Sequence, residues 1–243
     1  MYKSIVRISL LIVLLQSKNW AGPPFDTDDP EPVDYLHWEF YISSIMEFQH
    51  NESNLTLPHI EINYGVIPNV QIHVLAPMEY IHSGNGTKYG YSNTELGIKY
   101  RFVNESENLL QIGTFPLVEI PTGSKNEDLS DGQYQFYLPL WLQKSWGKLT
   151  SYCGAGYWFN PGHGNRNWLF TGWEVQYDFS EIITFGGEVY YHTPDTQNSK
   201  SAAGFNLGGF INPDESNHIL FSVGSTYGSG KTITGYLGYQ ITI

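Results

Sequence analysis

Eight glutamates, Glu39, Glu47, Glu61, Glu79, Glu95, Glu119, Glu174 and Glu188, share the polar positions of alternating segments with two strong bases, Lys99 and Arg101. The same positions carry His59, His73, His192, Asn63 and Asn206, and the aromatic residues Tyr41, Phe115, Tyr137, Trp141, Trp158, Trp168, Phe170 and Tyr190. Carboxylates that outnumber bases on one wet face focus field and favour cationic or neutral polar solutes. The other reading is structural: Lys99 and Arg101 pair with Glu61, Glu79, Glu95 or Glu119 inside a hydrated polar core. The aromatic set also has two readings. It is either a surface along which aromatic or amphipathic solutes slide, or packing that fills space and locks the fold.

Catalytic chemistry is a weaker fit. Ser199 and Ser201, with His163, His192 and Asp195, have the residue types of a lipid hydrolase site. No nucleophile-elbow pattern G-x-S-x-G accompanies them, and His163 sits in a turn-forming run, Asn160–Asn165. The histidines lack any metal-ligand spacing such as H-E-x-x-H. Gly228–Thr232 echoes a phosphate loop, but Ser225 stands where that motif needs glycine. The expectation is no catalytic site, no metal, no cofactor and no enzyme.

The elements that must position these residues are strands. His37–Ile42, His59–Tyr64 and Glu95–Tyr100 alternate polar and apolar residues, so each strand has one apolar and one polar face. Trp38, Phe40, Ile42, Ile60, Ile62, Ile72, Val74, Leu96, Ile98, Leu138, Leu140, Trp173, Val189 and Leu237 fall on the apolar face. Segments of this length, aromatic-rich and joined by polar turns, predict an all-β, closed, antiparallel up-and-down transmembrane β-barrel of about 12 strands over residues 35–243. The expected strands are 35–48, 55–64, 70–81, 91–103, 109–121, 133–144, 149–159, 167–177, 183–192, 201–211, 218–225 and 232–243. Short joints alternate with longer ones, such as 82–90 and 122–132, and that parity places both termini on the periplasmic side.

Residues 1–21 read as a secretory signal, with Lys3 and Arg7 before the apolar run Ile8–Leu15. That run is too short to span a bilayer. Removing residues 1–21 takes away three bases and no acid, leaving nine bases against 24 acids, so the formal charge moves from −12 to −15. Such a chain is a poor nucleic-acid binder. Residues 22–34 form a Pro- and Asp-rich lead that can be neither helix nor central strand. Phe25, Asp28 and Asp29 are its candidate gating residues, placed to plug the barrel mouth. Cys153 reads as a small buried hydrophobe, and as the sole cysteine it forms no internal disulfide.

Several stretches carry a resemblance to a family. They are Gly22–Val33 followed by His37–Tyr41; Gly154–Gly162 followed by Asn165–Trp168; Glu188–Asp195; Gly204–Gly209; His218–Gly224; and Gly235–Gln240. Together they resemble the MetA-pathway of phenol degradation family of outer-membrane β-barrel transporters. The resemblance implies an exported barrel and uptake of aromatic compounds, with no catalytic residues to carry over. Such barrels usually end on Phe, where Ile243 stands here.

These readings converge on a bacterial outer-membrane channel for passive uptake of small aromatic or hydrophobic solutes. Its expected lumen path is Glu39, Tyr41, Glu61, Glu95, Lys99, Arg101, Glu119, Tyr137, Trp158, Glu174, Glu188, Tyr190, His192 and Asn206, entered past His163, His192 and Asp195. The expected partners are a small-molecule solute, outer-membrane lipids and the barrel assembly machinery, with the chain a monomer. The alternatives are a closed structural or partner-binding barrel, and the lipid hydrolase.

Overall fold

The computed structural model describes residues 23–84, 86–124, 129–130 and 132–243. The expected signal at 1–21 lies outside the described residues, as does Gly22. The strands are β1 (Trp38–Gln49), β2 (Glu52–Ile67), β3 (Val70–Ser83), β4 (Gly86–Tyr91), β5 (Thr94–Val103), β6 (Gln111–Thr114), β7 (Leu117–Ile120), β8 (Gln135–Trp146), β9 (Leu149–Phe159), β10 (Trp168–Asp178), β11 (Ile183–His192), β12 (Ala202–Ile211), β13 (Asn217–Tyr227) and β14 (Lys231–Thr242).

Two pairs of segments are single barrel strands with a break. β4 and β5 both pair with β3, along its second and first halves, with Ser92–Asn93 between them. β6 and β7 both lie between β5 and β8, interrupted at Phe115–Pro116. Pro116 has no N–H to give a ladder, so the break falls where proline is tolerated. The described segments therefore make twelve barrel strands, all antiparallel to their neighbours. β1 pairs with β14 from Glu39↔Thr242 to Phe48↔Ile233 and closes the sheet on itself. Reciprocal bonds between Trp38 and Ile243 (2.8 and 2.9 Å) finish the seam at the chain terminus. Closure removes the unpaired edge that a sheet this large would otherwise expose.

Apart from these two breaks the expected strands match closely, with differences at the start of β1 and at residues 82–90. β1 starts at Trp38, because residues 35–37 turn back to bond Gly65. Residues 82–90, expected as a longer loop, mostly continue the β3–β4 hairpin through pairs such as His82↔Thr87. Cys153 is half-buried and not enclosed; it stands on the outer face opposite Leu142 and Trp173.

The faces divide as alternation requires. Leu138, Trp173, Val189 and Leu237 are among the exposed apolar residues of the exterior, whereas Gln143, Tyr152, Glu174 and Gln240 are buried inside. An apolar exterior around a polar interior is the arrangement of a transmembrane β-barrel, where alternation puts lipid on one face and the lumen on the other. The start of β1, the end of β14 and the short turns, such as Gly147–Lys148, lie at one end; Gly147 takes a left-handed φ of 63° there, which glycine adopts without steric cost. The strand ends joined by the longer connections, Ile120 and Gln135, Phe159 and Trp168, and His192 and Ala202, lie at the other end.

Candidate functional site

Residues 23–34 lie inside the barrel, deepest at Pro24–Thr27 and leaving it at Asp34 toward the start of β1, and the wall grips them polar group by polar group. Gln71 accepts a bond from the Val33 amide (2.9 Å). Arg101 reaches Glu31 (2.7 Å), and Gln111 donates to the other oxygen of the same carboxylate (3.0 Å). Lys99 lies 2.9 Å from Asp28 and 3.5 Å from Asp29. Deeper in, the Glu188 carboxylate accepts from the amides of Asp26 (2.8 Å) and Thr27 (2.7 Å). Ser222 donates to the Pro24 carbonyl (2.7 Å). Proline and aspartate keep this segment out of regular structure, so its backbone groups are left for wall side chains to satisfy.

Thr27 and Asp29 are fully buried, and Phe25 and Val33 nearly so. Burial pushes the Asp29 carboxyl up to about 8, although the Lys99 charge pulls the other way. Two wall glycines make room for the lead. A Cβ at Gly172 would fall onto the Thr27 side chain, and one at Gly113 would come within 2.9 Å of Pro30.

The two lumen bases are thus paired, but not with the expected partners. Lys99 and Arg101 take carboxylates of the lead and not Glu61, Glu79, Glu95 or Glu119. Those four are held by other groups: His73 lies 3.4 Å from Glu61 and 3.1 Å from Glu95, Asn54 and Ser92 donate to Glu79, and Asn93 donates to Glu119. The reason is reach. The wall acids are satisfied by neighbours on the same or adjacent strands, while the lead passes directly over the bases.

Two cavities lie in series around the lead. The inner one, about 390 Å³, is lined by Glu39, Tyr41, His59, Glu61, Asn63, His73, Glu95 and Lys99, and extends past Asp34 and His37 toward the terminal end. The outer vestibule, about 660 Å³, is lined by Tyr137, Trp141, Trp158, Trp168, Phe170, Tyr190 and His192. Asp26, Asp28 and Leu117 line both and mark the neck between them.

One wall of the vestibule is a continuous aromatic surface. Tyr137 stacks on Trp158 (4.7 Å between ring centroids), Trp158 on Trp168 (5.5 Å) and Phe170 on Tyr190 (6.0 Å). The rings lie along the wall because inward glycines leave space beneath them. A Cβ at Gly154 would strike the Trp141 ring, one at Gly156 the Tyr137 ring, and one at Gly204 the Tyr190 ring. Tyr137, Trp141, Phe170 and Tyr190 are thereby buried against the wall, with Trp158 and Trp168 half-buried and packed against them where they line the vestibule.

Every residue of the expected lumen path faces the interior, though not all line a cavity. Glu174 is fully buried, accepts from the Tyr152 hydroxyl (2.6 Å) and pairs in register with Glu188. Asn206 donates to Glu188 (2.6 Å). His192 and Asp195 line the vestibule, but His163 is exposed on its loop and does not. The hydrolase constellation is not assembled, since Ser199 donates to Asp195 (2.6 Å) and His192 faces the Thr193 carbonyl (3.1 Å). Sequence reading missed Gln71, Tyr152, Gly172 and Ser222 as parts of the site. Their inward parity was legible, but nothing in the sequence indicated that the lead would lie against them.

The fold and site define a transmembrane β-barrel whose own N-terminal segment occupies the lumen. No family model matches the chain, and no curated protein does. Among solved structures it is similar to the COG4313 outer-membrane channel from Pseudomonas putida F1, with 13% identity over 90% of this chain and 100% of that one and a TM-score of 0.70. It is also similar to the KdgM porin in complex with disordered oligogalacturonate, with 12% identity over 84% and 98% and a TM-score of 0.56. A third is the translocator domain of the autotransporter NalP from Neisseria meningitidis, with 9% identity over 86% and 90% and a TM-score of 0.58. At such identities the likeness establishes the barrel fold.

Proposed function

We propose that the chain is a bacterial outer-membrane channel for passive uptake of small aromatic or hydrophobic solutes, obstructed from within by its own lead. The observation that carries this reading is the aromatic-walled vestibule of about 660 Å³ placed in series with a second cavity of about 390 Å³. Buried aromatic surface offers apolar solutes contact area, while the polar inner cavity keeps the passage hydrated. The P. putida barrel is called an outer-membrane channel, and the KdgM structure holds a sugar acid polymer; the aromatic wall favours a different cargo here. The same reading places both termini and the short turns in the periplasm, the loops outside, and residues 1–21 as the export signal. The apolar exterior faces outer-membrane lipid after insertion by the barrel assembly machinery, and the chain works as a monomer. It fits the phenol-degradation transporter family that the sequence resembles.

The test is single-channel conductance of refolded protein in a planar bilayer, with timed uptake of 2-phenylethanol into proteoliposomes. Discrete conductance steps that grow when residues 22–34 are deleted, with uptake above that of empty vesicles, are expected. A correctly folded, heat-modifiable barrel that neither conducts nor takes up the alcohol, with or without the lead, refutes the reading.

A further inference from the structure

We propose that the floor of the vestibule is a binding site for a small organic cation: an ammonium group carried on an aromatic or other apolar body. This deepens the channel reading and rests on it. Asp26 lines both cavities at the neck, and its side chain is open to the lumen. Its carboxylate accepts from Asn206, at 3.2 Å, and from the Tyr190 hydroxyl. Glu47, near the outer end of β1, lines the same vestibule. Among the described residues, no base lies within ion-pair distance of either carboxylate. Glu188, by contrast, is fully engaged by two lead amides and by Asn206, and Asp28 is neutralised by Lys99. The base among the vestibule's lining residues, Lys200, belongs to the loop at the mouth and not to the floor.

Two carboxylates without a base in ion-pair distance therefore share the vestibule with an aromatic wall, in which Tyr190 stacks with Phe170 and Trp168 with Trp158. Ring faces attract cations through their quadrupole, and a carboxylate supplies the charge that fixes one in place. A solute with an ammonium head and an apolar body satisfies both at once. A neutral analogue of the same shape gains only the wall, and an anionic one meets repulsion at the floor.

The experiment uses the full mature chain in proteoliposomes with three solutes of one shape: phenethylammonium, 2-phenylethanol and phenylacetate. Timed uptake is expected to run in that order. The double substitution Asp26→Asn with Glu47→Gln is expected to lower the ammonium-to-alcohol ratio about tenfold. A wild-type ratio at or below one, or a ratio undiminished in a heat-modifiable double variant, overturns the proposal. A second measurement needs no variant. Tryptophan fluorescence of the wild type should change saturably with phenethylammonium and not with phenylacetate, and the reverse order overturns the site. If the alcohol enters but the ammonium has no advantage, only the cation site fails. If no solute enters, the channel reading fails, and the fluorescence titration still decides the site.

Discussion

Replacing Lys99 with methionine should loosen the lead without opening the barrel wall. Lys99 is 4% exposed; it lies 2.9 Å from Asp28 and 3.5 Å from the fully buried Asp29. Methionine keeps most of the side-chain volume and removes the charge. Breaking a buried pair by removing one partner costs about 3–5 kcal/mol. Protonation of the stranded aspartates caps the loss, so we take the lower end. About 3 kcal/mol, at 1.4 kcal/mol per tenfold, weakens docking of the lead on the order of a hundredfold. Strand pairing is untouched, because the β3–β5 ladder at Gln71↔Lys99 is made by backbone groups. In a planar bilayer the wild type should stay mostly at a low conductance, and a deletion of residues 22–34 should hold a steady higher level. The Lys99→Met channel should flicker between the two, with unchanged heat-modifiability. If its traces match the wild type while the deletion conducts more, Lys99 does not hold the lead and the electrostatic account is wrong.

Three further outcomes follow from the same geometry. Gly172→Val should expel the lead sterically, since a Cβ there falls on Thr27; its conductance should approach that of the deletion, and unchanged conductance would show that the lead does not pack on β10. Leu207→Lys puts a charge on the lipid face, where Leu207 is half exposed; an unfolding titration in vesicles should show a loss of about 2–4 kcal/mol if the residue sits near the midplane. The Asp26 carboxyl belongs to the lead and not to a membrane-crossing strand. Enclosure in the barrel pushes it up to about 7, helped by the charges of Glu188 and then Glu47, while bonds from Asn206 and Tyr190 pull it down. It ionises as pH rises through that value. The uptake ratio of phenethylammonium to 2-phenylethanol should therefore rise between about pH 6 and pH 8, with the amine protonated throughout. A flat ratio would remove Asp26 from the site.

How far the sequence reveals this molecule depends on whether a feature is set by neighbours along a strand or across the lumen. Alternation is local, so the strands, their faces and the inward position of Glu188, Tyr190 and Trp158 were all legible. The packing of the aromatic wall was only half legible. Gly154 and Gly156 could be seen, but their use depends on Trp141 and Tyr137 crossing from β8, and register is a matter of pairing. The break at Pro116 was similarly hidden, because an alternating run with one proline still reads as a strand. The partners of Lys99 and Arg101 were not legible. Asp28 is 71 residues from Lys99, and Glu31 is 70 from Arg101; no periodicity links a lead without regular structure to a point on the wall.

That misassignment changes what the lumen can do. Had Lys99 and Arg101 paired with wall glutamates, the charges of the wall would have cancelled locally and the lead would have been an electrostatic bystander. Instead the lead brings its own acids to the bases. Asp28, Asp29 and Glu31 consume the two strong bases of the path. The wall carboxylates are left to weaker partners, His73 and the side-chain amides. The lead thus does two things with one set of contacts. It fills the neck, and it strips the lumen of the positive charge that would otherwise offset Glu47 and the other wall carboxylates. Withdrawing it frees Lys99 and Arg101 to face the passage, so an emptied lumen is wider and also less selective for cations. Reversal potentials under a salt gradient should show this directly, with the lead deletion less cation-selective than the intact chain despite its larger conductance. Equal or greater cation selectivity in the deletion would mean that the lead acids add nothing to the charge a solute meets.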